Sequence, residues 1–202
     1  MQRGNLVLHA NAIAMPGNGA IICLGRSGAG KSTTAGALMQ RGYEVLGDDV
    51  CAIDSGNNIR RGVPRLKLWD DTVRRLALDA SGLERFAGAH DKWNVPLAGK
   101  VSGARRPAMF VLLDFGEGTT VETRTISGGE KFVALRNNVY RHELVAALDI
   151  EAYYLERLAR IASSTPMYRI ARPRSGFTID QVVDTIIDLY EPVAMKTQEG
   201  AG

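Results

Sequence analysis

Cysteine is scarce: Cys23 and Cys51 are the two among 202 residues. Two thiols inside apolar runs cannot frame a disulfide scaffold, so they read as buried and reduced, in a reducing compartment. Clusters of Cys and His at metal-ligand spacing are missing as well, which excludes a zinc-stapled fold. Nor is any uninterrupted apolar run long enough to cross a bilayer. Residues 4–25 carry no formal charge, but Pro16-Gly17-Asn18-Gly19 divides them into two strand-length pieces. The N-terminus imitates a signal peptide, with Arg3 ahead of Leu6-Val7-Leu8 and then small residues, yet His9 and Asn11 interrupt that apolar stretch. The expectation is a cytoplasmic protein with no membrane partner. Charge of one sign is also in short supply: 25 Lys+Arg against 22 Asp+Glu leaves +3. That suits a polyanionic ligand without demanding nucleic acid, for which no motif exists.

What is present is an ordinary globular composition, 45% hydrophobic and 23% charged. The length suits one domain with a real core, and no repeat, low-complexity tract or linker divides it. The expected organisation is a single mixed α/β domain over residues 1–194, its mixed sheet flanked by helices, and a flexible tail over 195–202. Residues 6–15 and 20–24 read as two strands of a hairpin, residues 31–41 as a helix, and 43–46 as a short strand running into Asp48-Asp49. Residues 50–54 and 59–63 read as another hairpin and 70–78 as a helix. Residues 81–106 are weakly patterned and read as loops. Residues 108–115 form a strongly apolar strand, with 120–126 as its antiparallel neighbour. Helices over 150–162 and 178–190, separated by a strand at 167–171, complete the reading.

One motif carries chemistry. Gly25-Arg26-Ser27-Gly28-Ala29-Gly30-Lys31-Ser32, followed by Thr33, fits G-x-x-x-x-G-K-[ST] in full, a match that arises by chance in about one chain of this length per hundred. An apolar strand leads in and a helix opens at Lys31. The glycines allow backbone N–H groups to close around β- and γ-phosphate oxygens, and the helix N-terminus adds its positive end. Lys31 supplies a point charge and the Ser32 hydroxyl is placed to ligate Mg²⁺. The motif predicts a nucleoside triphosphate site.

Binding is not a reaction, and three carboxylate sites compete to be its partner. Asp48-Asp49 ends the strand after the loop's helix, where a carboxylate holds a metal or accepts a hydroxyl proton. Asp114 ends the apolar strand Met109-Phe110-Val111-Leu112-Leu113, which also fits a metal-site pattern. Asp70-Asp71 reads as a helix start. Spacing alone does not choose between the first two. Ile126-Ser127-Gly128-Gly129-Glu130 imitates the signature loop of transporter ATPases, but no strand ending in Asp-Glu follows, so it reads as a helix start. The guanine-reading Asn-Lys-x-Asp is absent. His90 and His142 read as surface residues, and Tyr153-Tyr154 as packing.

Taken together, Leu8-His9-Ala10, the phosphate loop and Gly42-Tyr43-Glu44-Val45-Leu46-Gly47-Asp48-Asp49-Val50 resemble the HPr kinase/phosphorylase catalytic domain. Pro64-Arg65-Leu66-Lys67-Leu68-Trp69 resembles its shorter branch, which includes lasso-peptide precursor kinases. The resemblance implies a P-loop kinase fold with ATP and Mg²⁺ as cofactors. It implies that Lys31 holds phosphate, Ser32 the metal, Asp49 takes the proton from an acceptor serine, and His9 stands before the loop. Asp48 would then polarise Asp49 or reach the metal through water; two adjacent carboxylates do not both ionise freely, so one of them is raised. The family forms hexamers, so a homo-oligomer is also implied.

Departures narrow this. The bifunctional enzymes carry Glu-x-Arg-Gly about forty residues after the loop, where this chain reads Asn58-Ile59-Arg60-Arg61-Gly62 without an acid. Their Pro-Val-x-x-Gly-Arg-Asn loop shrinks to Val95-Pro96-Leu97-Ala98-Gly99, with Lys92 nearby as a candidate charge for the transferring phosphoryl group. No counterpart of their N-terminal domain is expected. These departures point away from the reverse reaction and from HPr as acceptor. The expected function is an ATP-dependent kinase acting on a serine of a protein or peptide; the alternatives are an ATP-binding regulator without transfer and HPr kinase/phosphorylase proper.

Overall fold

The computed structural model describes residues 4–87, 91–97, 103–143, 145 and 150–199, with side chains as far as residue 195. His90, Ala98 and Gly99, named above, lie outside them. A six-stranded mixed sheet forms the centre, in the order β11(Glu122–Ile126), β12(Met167–Arg172), β10(Arg106–Phe115), β3(Gly19–Leu24), β2(Asn11–Ala14), β4(Val45–Gly47). β3, β10 and β12 run parallel, and the remaining three are antiparallel to their neighbours. Helices cover both faces, which is why β3 and the middle of β10 read as continuous apolar runs rather than alternating ones. Helix α1(Lys31–Gln40) and the long C-terminal helix, which spans Ile179–Glu199, pack with Ile21, Val111 and Ile170 on one side. The other side buries Ile22, Phe110 and Met167 against the helices over Gly128–Asn137 and Glu151–Ser164. In chain order, with α2(Asp70–Arg75) second, these three helices are α3(Gly128–Asn137), α4(Glu151–Ser164) and α5(Ile179–Glu199). Among the described residues no helix is long and apolar enough to cross a membrane.

The fold departs from the sequence reading at five places. The predicted strand over residues 6–15 breaks at His9: β1(Leu6–Leu8) leaves the central sheet and pairs antiparallel with β5(Cys51–Ile53), which pairs in turn with β6(Ile59–Arg60). β11 does not neighbour β10, because β12 lies between them. Its Glu122-Thr123-Arg124-Thr125 is exposed throughout, a composition suited to an edge and not to a position covered on both faces. The segment read as loops instead supplies β8(Glu84–Arg85) and β9(Lys92–Pro96), which form a three-stranded sheet with β7(Arg65–Trp69). α2 also stops short, with Leu76 as its cap and Ala77 at φ 48°. α5 runs on to Glu199, through Pro192 and into the predicted tail.

Two side chains of α4 tie down the far end of the β1–β5 pair. The Tyr154 hydroxyl accepts from Val7 N at 2.9 Å and donates to Asn5 O at 3.0 Å. The buried Arg157 donates to Gly4 O at 2.9 Å and to Asp54 O at 2.6 Å. Tyr154→Phe keeps the ring but strands the buried Val7 amide. Urea unfolding of that variant is expected to show a loss of about 1–3 kcal/mol; an unchanged midpoint would mean that the hydroxyl is dispensable.

Candidate functional site

The motif residues form the turn from β3 into α1. Gly25 crosses close beneath β10, so a Cβ there would lie 2.5 Å from Leu113 O, at a φ of 141° that L-residues avoid. Gly30 caps α1 at φ 108° with no side chain closing the helix end, so the first-turn N–H groups are directed out of the turn. Lys31 is buried and donates from Nζ to Gly25 O at 2.7 Å and Arg26 O at 3.3 Å. Burial lowers its pKa, opposed by the neighbouring Asp49 and Asp48.

A cleft of about 320 Å³ opens over this turn, lined by Ser27, Gly28, Ala29, Gly30, Lys31, Ser32 and Thr33 together with His9 and Asp49. Asp48 stands beside it: its Oδ1 accepts from the Ser32 hydroxyl at 3.0 Å and its Oδ2 from the Lys67 backbone N at 2.8 Å. Burial raises the Asp48 pKa above the ordinary carboxylate value. Asp49 faces the cleft from a left-handed backbone, φ 65°, uncommon outside glycine, and its Oδ2 meets Lys67 Nζ at 2.6 Å. Burial pushes its carboxyl up, but Lys67, joined by His9 and Lys92, outweighs burial and leaves it below its usual value. The raised member of the pair is therefore Asp48, and Asp49 stays ionised through neutral pH. His9 Nδ1 lies 3.0 Å from the Asp49 carbonyl; since a carbonyl only accepts, Nδ1 carries the hydrogen. Its pKa is lowered, chiefly by burial.

Of the sequence candidates, Arg26 is exposed and lies outside the cleft lining. Asp114 is held by Arg169 at 2.8 Å, and Asp70 accepts from Trp93 Nε1 at 2.7 Å while pairing with Arg74, so both are engaged in ion pairs and neither lines the cleft, whereas Asp71 does. Lys92 does line the cleft, its ammonium 4.4 Å from the Trp69 ring centre. Residues 58–62 do not. The strand alongside the two aspartates is β7; sequence reasoning placed its Lys67 among the basic residues that follow Asp48-Asp49, near the triphosphate, without pairing it to Asp49. It missed Asn138, whose Oδ1 accepts from Gly25 N at 3.3 Å while its carbonyl takes the His9 amide at 2.7 Å. Arg172 was also missed; it braces the turn through Ala29 O at 3.2 Å and Gly28 O at 3.4 Å. At the other end of the cleft Arg75 lies 5.0 Å over the Phe177 ring, beside Thr178, whose buried Oγ1 has no partner among the described residues. Among the described residues no group of three or more His, Cys, Asp or Glu gathers as a metal cage.

No family model matches the chain, and no curated protein matches it. Among solved structures it is similar to an HPr(Ser) kinase/phosphatase from Coxiella burnetii. The identity is 14%, over 95% of this chain and 98% of that one, and the TM-score is 0.44. The functional reading therefore rests on the site itself.

Proposed function

We propose that the chain is an ATP-dependent kinase that phosphorylates a serine hydroxyl of a protein or peptide. The observation that carries this is the division of labour between adjacent carboxylates beside a phosphate-binding turn. One, Asp48, is bonded to the Ser32 hydroxyl, and the other, Asp49, is ionised and directed into the cleft.

The open N-terminus of α1 and the Lys31 ammonium form a donor set that fits a chain of phosphates. The exposed Phe177 ring, with Arg75 on one side, offers a base an aromatic edge to the cleft. Ser32 and Asp48 are hard oxygen donors of the kind magnesium takes from a protein when phosphates supply its other ligands, and the metal when bound would neutralise charge on those phosphates. Asp49 takes the hydroxyl proton as the serine oxygen bonds to the γ-phosphorus and the bond to the ADP oxygen breaks. Neutral His9 fixes the Asp49 peptide through Nδ1.

Incubation with γ-labelled ATP and serine-containing peptides is expected to move label to the peptide. Intact ATP binding with no labelled peptide would replace the kinase with a nucleotide-dependent regulator, the reading that the Lys67–Asp49 ion pair favours. Lys67 also sets a pH dependence. Asp49 works only when deprotonated, and Lys67 holds its pKa down. Lys67→Met therefore raises that pKa, and the acidic limb of the kcat/KM profile for transfer is expected to move to higher pH. An unmoved limb would separate Lys67 from the base.

A further inference from the structure

Beyond the cleft, the small sheet turns one face away from the core. In β7, Leu66 and Leu68 are buried, so Arg65, Lys67 and Trp69 face the other way. The register pairs Trp69 with Lys92 and Lys67 with Asn94 of β9, and Glu84 of β8 with the same Asn94. These side chains therefore share the outer face. Phe86 floors it, with the Arg65 guanidinium 5.6 Å and Lys67 Nζ 4.7 Å from its ring centre. Three cations, Arg65, Lys67 and Lys92, thus face two carboxylates, Glu84 on the sheet and Asp49 at the cleft end. Lys67 is shared with Asp49, while no carboxylate pairs with Arg65 or Lys92 among the described residues. The face begins at the cleft itself, because Lys67, Trp69 and Lys92 line both.

We infer that this face docks the acceptor, and that the acceptor is a peptide segment with acidic residues flanking its hydroxyl. The inference rests on the kinase reading for the position of the hydroxyl and on charge complementarity for the chemistry. From Lys67 to Arg65 is about 7 Å along a strand, the span of two extended peptide residues. An acid two positions from a serine at Asp49 therefore reaches Arg65. Single-stranded nucleic acid would need open ring faces for stacking, but Arg65 and Lys67 lie against Phe86, and the half-exposed Trp69, with Lys92 on one side, is a single platform.

The test uses fluorescent peptides with one serine flanked by aspartates, alanines or lysines, read by anisotropy, with label transfer from γ-labelled ATP measured in parallel. The aspartate peptide is expected to bind about tenfold more tightly than the alanine peptide and to weaken with salt. Arg65→Glu, at an exposed position, is expected to cost about fivefold, and Glu84→Lys to gain by a similar factor, while binding of a fluorescent ATP analogue stays unchanged in both. Equal binding of the three peptides, an oligothymidylate binding as tightly as the aspartate peptide, or an Arg65→Glu chain that behaves like the parent would each overturn the inference. Charge-dependent binding without transfer would leave the docking face standing and remove the kinase.

Discussion

Asp49→Asn is expected to bind ATP as the unsubstituted chain does and to transfer its γ-phosphate about a thousandfold more slowly, within the range that a positioned proton acceptor contributes. The substitution is chosen for its backbone. Asp49 sits at φ 65°, and asparagine tolerates the left-handed region where alanine would add strain. The His9 bond runs to the Asp49 carbonyl and survives, and an amide oxygen still accepts from Lys67 Nζ. What disappears is the carboxylate lone pair that takes a proton. Binding followed with a fluorescent ATP analogue and transfer followed with γ-label separate the two quantities. Full transfer in this variant would remove Asp49 from the chemistry.

Lys31→Met is expected to cut ATP affinity by about a hundredfold, the loss of roughly two charge-assisted hydrogen bonds. Methionine replaces most of the buried stem, so packing between β3 and α1 survives. The ammonium is surrounded by Gly25 O, Arg26 O and the two aspartates, and without it their negative end faces the turn uncompensated at that point. Asp48, already raised by burial, then has less to keep it ionised. Calorimetric titration with ATP reads the affinity, and an unchanged value would mean that the phosphates do not lie at this turn.

The parts of the fold that could be read locally were those fixed by local pattern. Ile21-Ile22-Cys23-Leu24 and Met109-Phe110-Val111-Leu112-Leu113 are apolar on both faces, and the glycine spacing of the turn between β3 and α1 is itself a backbone requirement. Strand partners are a different matter. Nothing near residues 120–126 says that β12 will come between them and β10, because that choice depends on which of two distant strands tolerates burial on both sides. β7, β8 and β9 are short and half exposed, so their alternation resembles solvated loop. The site follows the same division. The turn and the paired aspartates stand out along the chain, whereas Lys67, Asn138 and Arg172 act on partners 18, 113 and 143 residues away. The separation of Asp48 from Asp49 came from burial and from Lys67, neither of which adjacency in sequence reveals.

The β1–β5–β6 sheet branches from the central sheet, with Leu6, Leu8, Cys51 and Ile53 packed in the core beneath α3 and α4. His9 and Asp49 stand at its root, joined to each other, and Arg157 grips its far end through Gly4 and Asp54. One short sheet thus ties a buried arginine of α4, on the far side of the central sheet from α1, to the peptide that carries Asp49, and the shape of the cleft rests on packing beneath the sheet as well as on the turn above it.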